Sequence, residues 1–117
     1  MSNKENKYSS FAEFWPFYVG EHSRSATRTL HFIGTTLGIL LLATAVATKL
    51  WYLLVLVPVV SYGFAWYSHF FVERNRPATF KYPLYSLLAD FKMYYLILKG
   101  DMNSEVERIL QKQKISD

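Results

Sequence analysis

The chain of 117 residues contains no cysteine, which excludes disulfide bonds, thiolate zinc sites and cysteine-ligated clusters. Charged residues are also scarce, at 19% against the ~25% of ordinary soluble domains. The net charge of +4 is spread along the chain and forms no basic patch, so a nucleic-acid partner is not expected. The chain is instead rich in apolar side chains, with 51% hydrophobic and 18% aromatic residues. This balance favours a membrane protein.

The length suits one small domain. The polar residues 1–10 lack the apolar segment of a signal peptide and are predicted to form a flexible tail. Residues 11–100 are predicted to form a single membrane domain, and residues 101–117 a short polar helix. Ser104 and Glu107 have the spacing of a capping box, which predicts that the last helix begins at Ser104.

Two uncharged runs predict an all-α fold built on a transmembrane helical hairpin. The first covers residues 29–48 and the second about 50–72, so the turn lies at residues 48–50. Twenty helical residues span ~30 Å, which is the thickness of the hydrocarbon core. The alternative is a pair of buried helices in a soluble domain. It is disfavoured because so short a chain cannot cover two helices that are apolar all round.

The distribution of lysine and arginine predicts the orientation of this hairpin. The turn contains only Lys49, whereas the other basic residues precede the first run or follow the second. Both termini are therefore expected in the cytoplasm, at the bacterial inner membrane or, in a eukaryote, the endoplasmic reticulum. Amphipathic helices are expected in the interface on that side. One is aromatic and lies near residues 11–21; the other covers 81–100, with Gly100 as its C-terminal cap and a third span as the less favoured alternative.

Three histidines converge in this scheme. His31 lies near the start of the first run and His69 near the end of the second, so an antiparallel hairpin puts both at one depth. His22 precedes the first run on the same side. It can join them only if the helix breaks before His31, and Ser23 and Ser25 are candidate N-caps for that break.

Small residues mark the helix faces that would bring these histidines together. Gly34 and Gly38 follow His31 at helical spacing, and Ser61 and Ala65 precede His69 in the same way. Stripes of small residues allow close helix approach in lipid. The sequence therefore predicts that His31 lies beside His69.

A carboxylate lies one helical turn beyond His69. In an α-helix His69 and Glu73 share a face, so both can bind one metal ion. The predicted ligands are His22, His31, His69 and Glu73. Histidines with a carboxylate suit Fe(II) and oxygen chemistry, and zinc accepts the same ligands. The alternative for each histidine is an ordinary hydrogen-bonded residue at the membrane surface.

Two further charged residues are assigned to the site. Arg76 precedes Pro77, where the helix should end, and its guanidinium is predicted to bind a carboxylate through two hydrogen bonds. Arg74 is interpreted as an interfacial cation. Asp90 is predicted either to support a histidine or to pair with an interfacial cation.

The segments "EHSRSATRTLHFIGT" and "HFFVERNRPATF" resemble the short bacterial branch of a family whose fungal members are membrane-bound 2-hydroxy-fatty-acid dioxygenases. The resemblance runs from about Phe11 to Gly100. It implies Fe(II)-dependent α-oxidation, in which a 2-hydroxy fatty acid reacts with oxygen and loses its carboxyl carbon. It also implies that the family's essential histidines correspond to His22, His31 and His69.

The sequence therefore predicts an iron-dependent membrane oxygenase with a lipid-like substrate, and leaves open a homo-oligomer. Two alternatives remain. One is a non-catalytic membrane protein that binds lipid or a partner protein through its aromatic residues. The other is a haem protein with His31 and His69 as axial ligands.

Overall fold

The structure is a computed structural model that describes residues 7–116, and this part of the chain is helical without strands, as predicted. Residues 1–6 of the predicted tail lie outside it. The chain forms two compact units, one from Arg24 to Pro77 and one from the segments that precede and follow it. The predicted division into 1–10, 11–100 and 101–117 stays a prediction. The α-helices are α1 (Phe11–Gly20), α2 (Ser25–Thr48), α3 (Leu53–Tyr67), α4 (Pro83–Lys99) and α5 (Met102–Ser116).

The unit from Arg24 to Pro77 is a helical hairpin in which small residues allow α2 to approach α3. A Cβ atom added at Gly34 would lie 2.9 Å from the backbone oxygen of Ser61 and 2.8 Å from Cβ of Phe64. The Ser61 hydroxyl donates a hydrogen bond of 3.2 Å to the Gly34 carbonyl oxygen. The predicted contact between the two small-residue stripes is confirmed.

The ends of the hairpin helices differ from the prediction. α2 begins at Ser25, before the expected residue 29, and α3 begins at Leu53 because the turn extends to Tyr52. Lys49 ends α2 in the left-handed conformation, at φ 61°. The helical segments Ser25–Thr48 and Leu53–Glu73 are each long and apolar enough to cross a membrane.

The second helical segment changes its winding at its C-terminal end. Ser68–Glu73 is a π-helix, in which hydrogen bonds join residues five apart. This segment ends at Arg74, which is left-handed at φ 63°. His69 and Glu73 both lie in this segment, so they are joined by a π-helical and not by an α-helical turn, and their predicted binding of one metal ion stays a prediction.

The other unit packs α1, α4 and α5 around a largely aromatic core. Pro16 lies inside α1. The helix continues because its neighbours Phe14, Trp15 and Tyr18 are buried in that core. The Ser10 side chain caps α1 by accepting a hydrogen bond from the Glu13 N–H.

α4 ends at Gly100, as predicted, with the glycine at φ 81°. α5 begins at Met102, so the prediction that Ser104 starts it is wrong. This helix has an apolar stripe that the polar interpretation missed, since Met102, Val106 and Ile109 are buried in the core. Glu105 lies on the same side of α5 and joins it to α1, because its carboxylate accepts a 2.6 Å hydrogen bond from the Trp15 indole.

Candidate metal centre

The hairpin brings His31 of α2 beside His69 of the π-helical segment. Both imidazoles are buried, with 5% and 2% of their surface exposed, and their Nε2 atoms are 3.2 Å apart. The prediction that His31 lies beside His69 is confirmed.

The Asn75 side chain contacts the ring of His69. Its side-chain oxygen lies 2.7 Å from His69 Nδ1. An amide oxygen only accepts hydrogen bonds, so Nδ1 is the protonated nitrogen. The lone pair of His69 then lies on Nε2, the atom that faces His31.

The two Nε2 atoms lie at hydrogen-bonding distance from each other, and the same spacing also fits a shared metal ion. Nitrogens bound at ~2.0–2.1 Å to one ion, at angles near 90–110°, lie ~2.8–3.4 Å apart. The observed separation is 3.2 Å. Axial ligands on opposite faces of a haem would instead be separated by ~4 Å, twice a metal–nitrogen bond, with the macrocycle between them. The observed separation of His31 and His69 is shorter than that.

His22 follows the end of α1, and the predicted break between it and His31 is confirmed. The ring is buried, with 1% exposed, and Nδ1 lies 2.7 Å from the Tyr18 carbonyl oxygen. A carbonyl only accepts, so Nδ1–H donates and the lone pair of His22 is on Nε2. The Tyr18 ring stacks on the imidazole at 4.0 Å.

One ring nitrogen from each of His22, His31 and His69 forms a group whose atoms all lie within 4.8 Å of one another. Such a buried three-histidine group can bind a metal ion. Among the described residues this group does not include Glu73. The nitrogen donors alone do not distinguish iron from zinc.

Glu73 instead caps the start of α2. Its Oε2 accepts hydrogen bonds from the Arg24 N–H at 2.6 Å and from the Thr27 hydroxyl at 2.9 Å. A carboxylate at a helix N-terminus also interacts favourably with the helix dipole. The N-cap residue is Arg24, without a side-chain capping bond, so the predicted serine caps are wrong. The ligand role of Glu73 stays a prediction.

Asp90 of α4 accepts a hydrogen bond from the Tyr18 hydroxyl. Burial raises the pKa of Asp90 to about 7, and the bond from Tyr18 partly opposes this. Burial, together with the nearby Asp90 charge, also raises the pKa of Tyr18. Asp90 thus contacts the tyrosine that stacks on His22, and its predicted role in the site stays a prediction.

Arg76 is exposed and follows the π-helical segment, and its predicted carboxylate-binding role is likewise untested. The sequence interpretation overlooked Arg28, which is buried with 7% exposed and interacts electrostatically with Glu73. The position of Arg28, one helical turn before His31, was the feature of the sequence that could have identified it. It also overlooked Asn75, for which the local pattern gives no signal, because its placement depends on the left-handed Arg74.

Comparison with known proteins places the chain in a family. Neither the curated proteins nor the solved structures contain a match to it. The family described as "2-hydroxy-palmitic acid dioxygenase Mpo1-like" matches residues 8–102, which is most of the sequence. These residues include the three histidines of the candidate metal centre. The chain therefore belongs to the 2-hydroxy-palmitic acid dioxygenase Mpo1-like family.

Proposed function

We propose that this protein is an Fe(II)-dependent membrane dioxygenase that α-oxidises a 2-hydroxy fatty acid. The observation that carries the proposal is the buried three-histidine group, with two Nε2 atoms at the 3.2 Å spacing of neighbouring metal ligands. The family description supplies the substrate class. One 2-hydroxy acid and one O₂ give the acid one carbon shorter, CO₂ and water. The four electrons lost by the substrate reduce the O₂, so no further reductant is needed.

His22, His31 and His69 are the proposed metal ligands, and Fe(II) is the proposed ion. When bound, Fe(II) supplies the redox chemistry with oxygen that zinc lacks. The protein keeps the imidazoles buried, which limits access of water. The Tyr18 carbonyl and the Asn75 amide each hold one histidine with its lone pair on Nε2.

The proposed roles of the charged residues differ. Arg76 binds the substrate carboxylate as a planar fork. Glu73 holds the start of α2, where Thr27 donates to it, and thereby supports the helix that carries His31. Asp90 supports Tyr18 through its hydroxyl, and so acts on His22 indirectly.

We place the hairpin across the membrane, with both termini in the cytoplasm. Its support is the length of the two apolar segments and the lysine and arginine distribution. α4 supports the proposed interfacial position, because one face is buried in its own unit while the opposite face exposes a helical stripe of large apolar side chains. The members of this stripe are Leu84, Leu87, Leu88, Phe91, Tyr95 and Leu98. The acyl chain of the substrate would lie in the lipid beside the hairpin.

Metal content and oxygen uptake test the proposal together. The protein is purified without oxygen in detergent, and its metals are measured by elemental analysis. We expect iron bound in stoichiometric amount, together with oxygen uptake driven by 2-hydroxypalmitic acid but not by palmitic acid. Absence of stoichiometric metal would favour the non-catalytic alternative. A Soret band would identify haem, and zinc without oxygen uptake would overturn the dioxygenase assignment.

Variants connect the metal to its proposed ligands. His31→Ala and His69→Ala should each lower the bound iron, because removal of one ligand weakens the site while the apolar helices still insert. Glu73→Gln tests the predicted carboxylate ligand. Full iron content in this variant would leave Glu73 with its capping role alone.

A further inference from the structure

We propose that Asn75 is the positioning residue that selects the metal-binding tautomer of His69. The proposal rests on the proposed function insofar as His69 is a metal ligand. Its structural basis lies within the hairpin unit. It assigns Asn75 no contact with substrate.

The backbone after the π-helical segment brings Asn75 back to His69. Arg74, at φ 63°, reverses the direction of the chain. The Asn75 N–H then donates a 2.9 Å hydrogen bond to the carbonyl oxygen of His69. The Asn75 side chain contacts the ring of the same residue, with its oxygen 2.7 Å from Nδ1. One residue therefore holds both the backbone and the imidazole of His69.

The side-chain contact has a chemical consequence for the site. A neutral imidazole carries its proton on either Nδ1 or Nε2, and only the unprotonated nitrogen can bind a metal. The Asn75 oxygen favours the proton on Nδ1. This keeps the lone pair on Nε2, which lies 3.2 Å from Nε2 of His31. Without that oxygen, some molecules would carry the His69 proton on Nε2, where it would point towards His31.

The backbone hydrogen bond of Asn75 allows the role of its side chain to be tested separately from its role in holding the backbone. A substitution at Asn75 leaves its N–H, so the 2.9 Å bond to the His69 carbonyl can remain. The contact with the His69 ring is lost. Loss of a hydrogen-bonding partner behind a ligating histidine typically weakens metal binding by ~10–100-fold.

The test measures Co(II) binding to the full chain in detergent by visible absorption, with Co(II) as an oxygen-stable substitute for Fe(II). Asn75→Ala should bind Co(II) about 10–100-fold more weakly than the original chain. Asn75→Asp keeps an oxygen acceptor, so it should bind at least nearly as tightly. Asn103→Ala, the same change at an exposed site in α5, is the matched control and should bind normally.

A second readout needs no metal. Nitrogen-15 NMR of the metal-free chain should find His69 protonated on Nδ1, with mixed tautomers in Asn75→Ala. An unchanged tautomer together with unchanged Co(II) affinity in that variant would overturn the proposal. Equal weakening in Asn75→Asp and Asn75→Ala would also overturn it, because the amide would then be a donor. If no variant bound Co(II) but the tautomer still depended on Asn75, the metal function would fail and the positioning role would stand.

Discussion

At the scale of single residues, one hydrogen bond to the ring of His22 and one to the ring of His69 indicate which nitrogen carries the proton. His22 and His69 each have Nδ1 next to an oxygen that only accepts, at 2.7 Å in both cases. The acceptors differ in origin, since one is the Tyr18 backbone and the other the Asn75 side chain. Side-chain substitution can therefore remove the acceptor of His69 but not that of His22.

Arg76 provides a test of substrate binding at the residue scale. If its guanidinium binds the substrate carboxylate through two hydrogen bonds, Arg76→Lys should lose turnover although the charge is kept. Loss of ~1.5–3 kcal/mol of charged hydrogen bonding corresponds to roughly ten- to a hundredfold in kcat/KM. The measurement is oxygen uptake with 2-hydroxypalmitic acid, with iron content determined in parallel.

Arg74→Lys is the matched control, because it keeps the charge at a neighbouring position outside the proposed site. It should retain both iron and turnover. Near-normal uptake in Arg76→Lys would reduce Arg76 to a simple interfacial cation.

Asp90 makes stability depend on pH. Its pKa rises from 3.8 to about 7 on folding, chiefly because the carboxyl is buried. Between these values the folded chain holds a proton that the unfolded chain has released, so stability should fall as pH rises from about 4 to about 7. The loss is on the order of a few kcal/mol. In Asp90→Asn this contribution disappears, so the variant should gain in Tm relative to the original chain between pH 5 and pH 8.

Thermal unfolding in detergent at several pH values measures this difference. The ionisable groups near Asp90 include Tyr18 and Lys92, and both are present in the two chains that are compared. Asp101→Asn, at an exposed carboxylate paired with Lys99, should follow the original chain. Parallel curves for Asp90→Asn and the original chain would contradict the prediction.

At the scale of helices, two departures from regular winding or spacing build the metal centre. The π-helical segment ends at the left-handed Arg74, and Asn75 then contacts the His69 ring. The close contact of α2 with α3 at Gly34 and Ser61 holds the two histidine-bearing elements together. Helix-to-helix distance is set by the smallest side chains at the contact.

Gly34→Ala tests that close contact. The added Cβ would meet the Ser61 backbone oxygen at 2.9 Å, and the backbone cannot rotate away. Gly63 has no atom within 4 Å of an added Cβ, so Gly63→Ala is the matched control for the intrinsic helix preference of alanine. We expect Gly34→Ala to be less stable than Gly63→Ala by ~1–3 kcal/mol, measured by unfolding in detergent. Equal or greater stability would sink this explanation.

Gly38 offers a rescue experiment at the same contact. A Cβ at Gly38 would clash with the Ser61 hydroxyl oxygen but would lie 3.6 Å from the Cβ of Ser61. Gly38→Ala should therefore destabilise the hairpin modestly, by displacing that hydroxyl from the Gly34 carbonyl. Ser61→Ala in the same chain should remove the clash and recover part of the stability. If the double variant were no more stable than Gly38→Ala, the clash would lie elsewhere.

At the scale of the whole molecule, large apolar side chains cover the outside of the hairpin. Leu40, Val46, Val55 and Val59 are 57%, 57%, 68% and 60% exposed. A water-soluble protein rarely exposes so continuous an apolar surface. Lipid is the solvent that suits it, and this agrees with the proposed membrane placement.

Cysteine labelling can test the proposed topology, because the chain has no cysteine of its own. Trp51→Cys introduces a thiol in the turn of the hairpin, and Ser104→Cys introduces one in α5. With both termini cytoplasmic, a membrane-impermeant maleimide should label Trp51→Cys in intact cells and Ser104→Cys only after lysis. The original chain should remain unlabelled. The opposite pattern would reverse the orientation.

The sequence by itself determined the helical class, the two apolar segments and the meeting of His31 with His69. These features follow from local composition and from one geometric fact: the start and end of an antiparallel hairpin lie at the same depth. Gly100 as a cap and the break before His31 were also predictable, because each depends on residues within one or two turns.

Tertiary structure decided the details that make the site. The sequence has no local signal for Glu73 capping a helix that begins 48 residues earlier at Ser25, or for a left-handed Arg74 that turns Asn75 onto His69. The sequence of α5 likewise predicts a polar helix, and its apolar stripe becomes evident only where it packs against α1 and α4. Such contacts pair residues distant in the chain, and a change of helical winding alters which side chains face each other. The local pattern of apolar residues specifies neither.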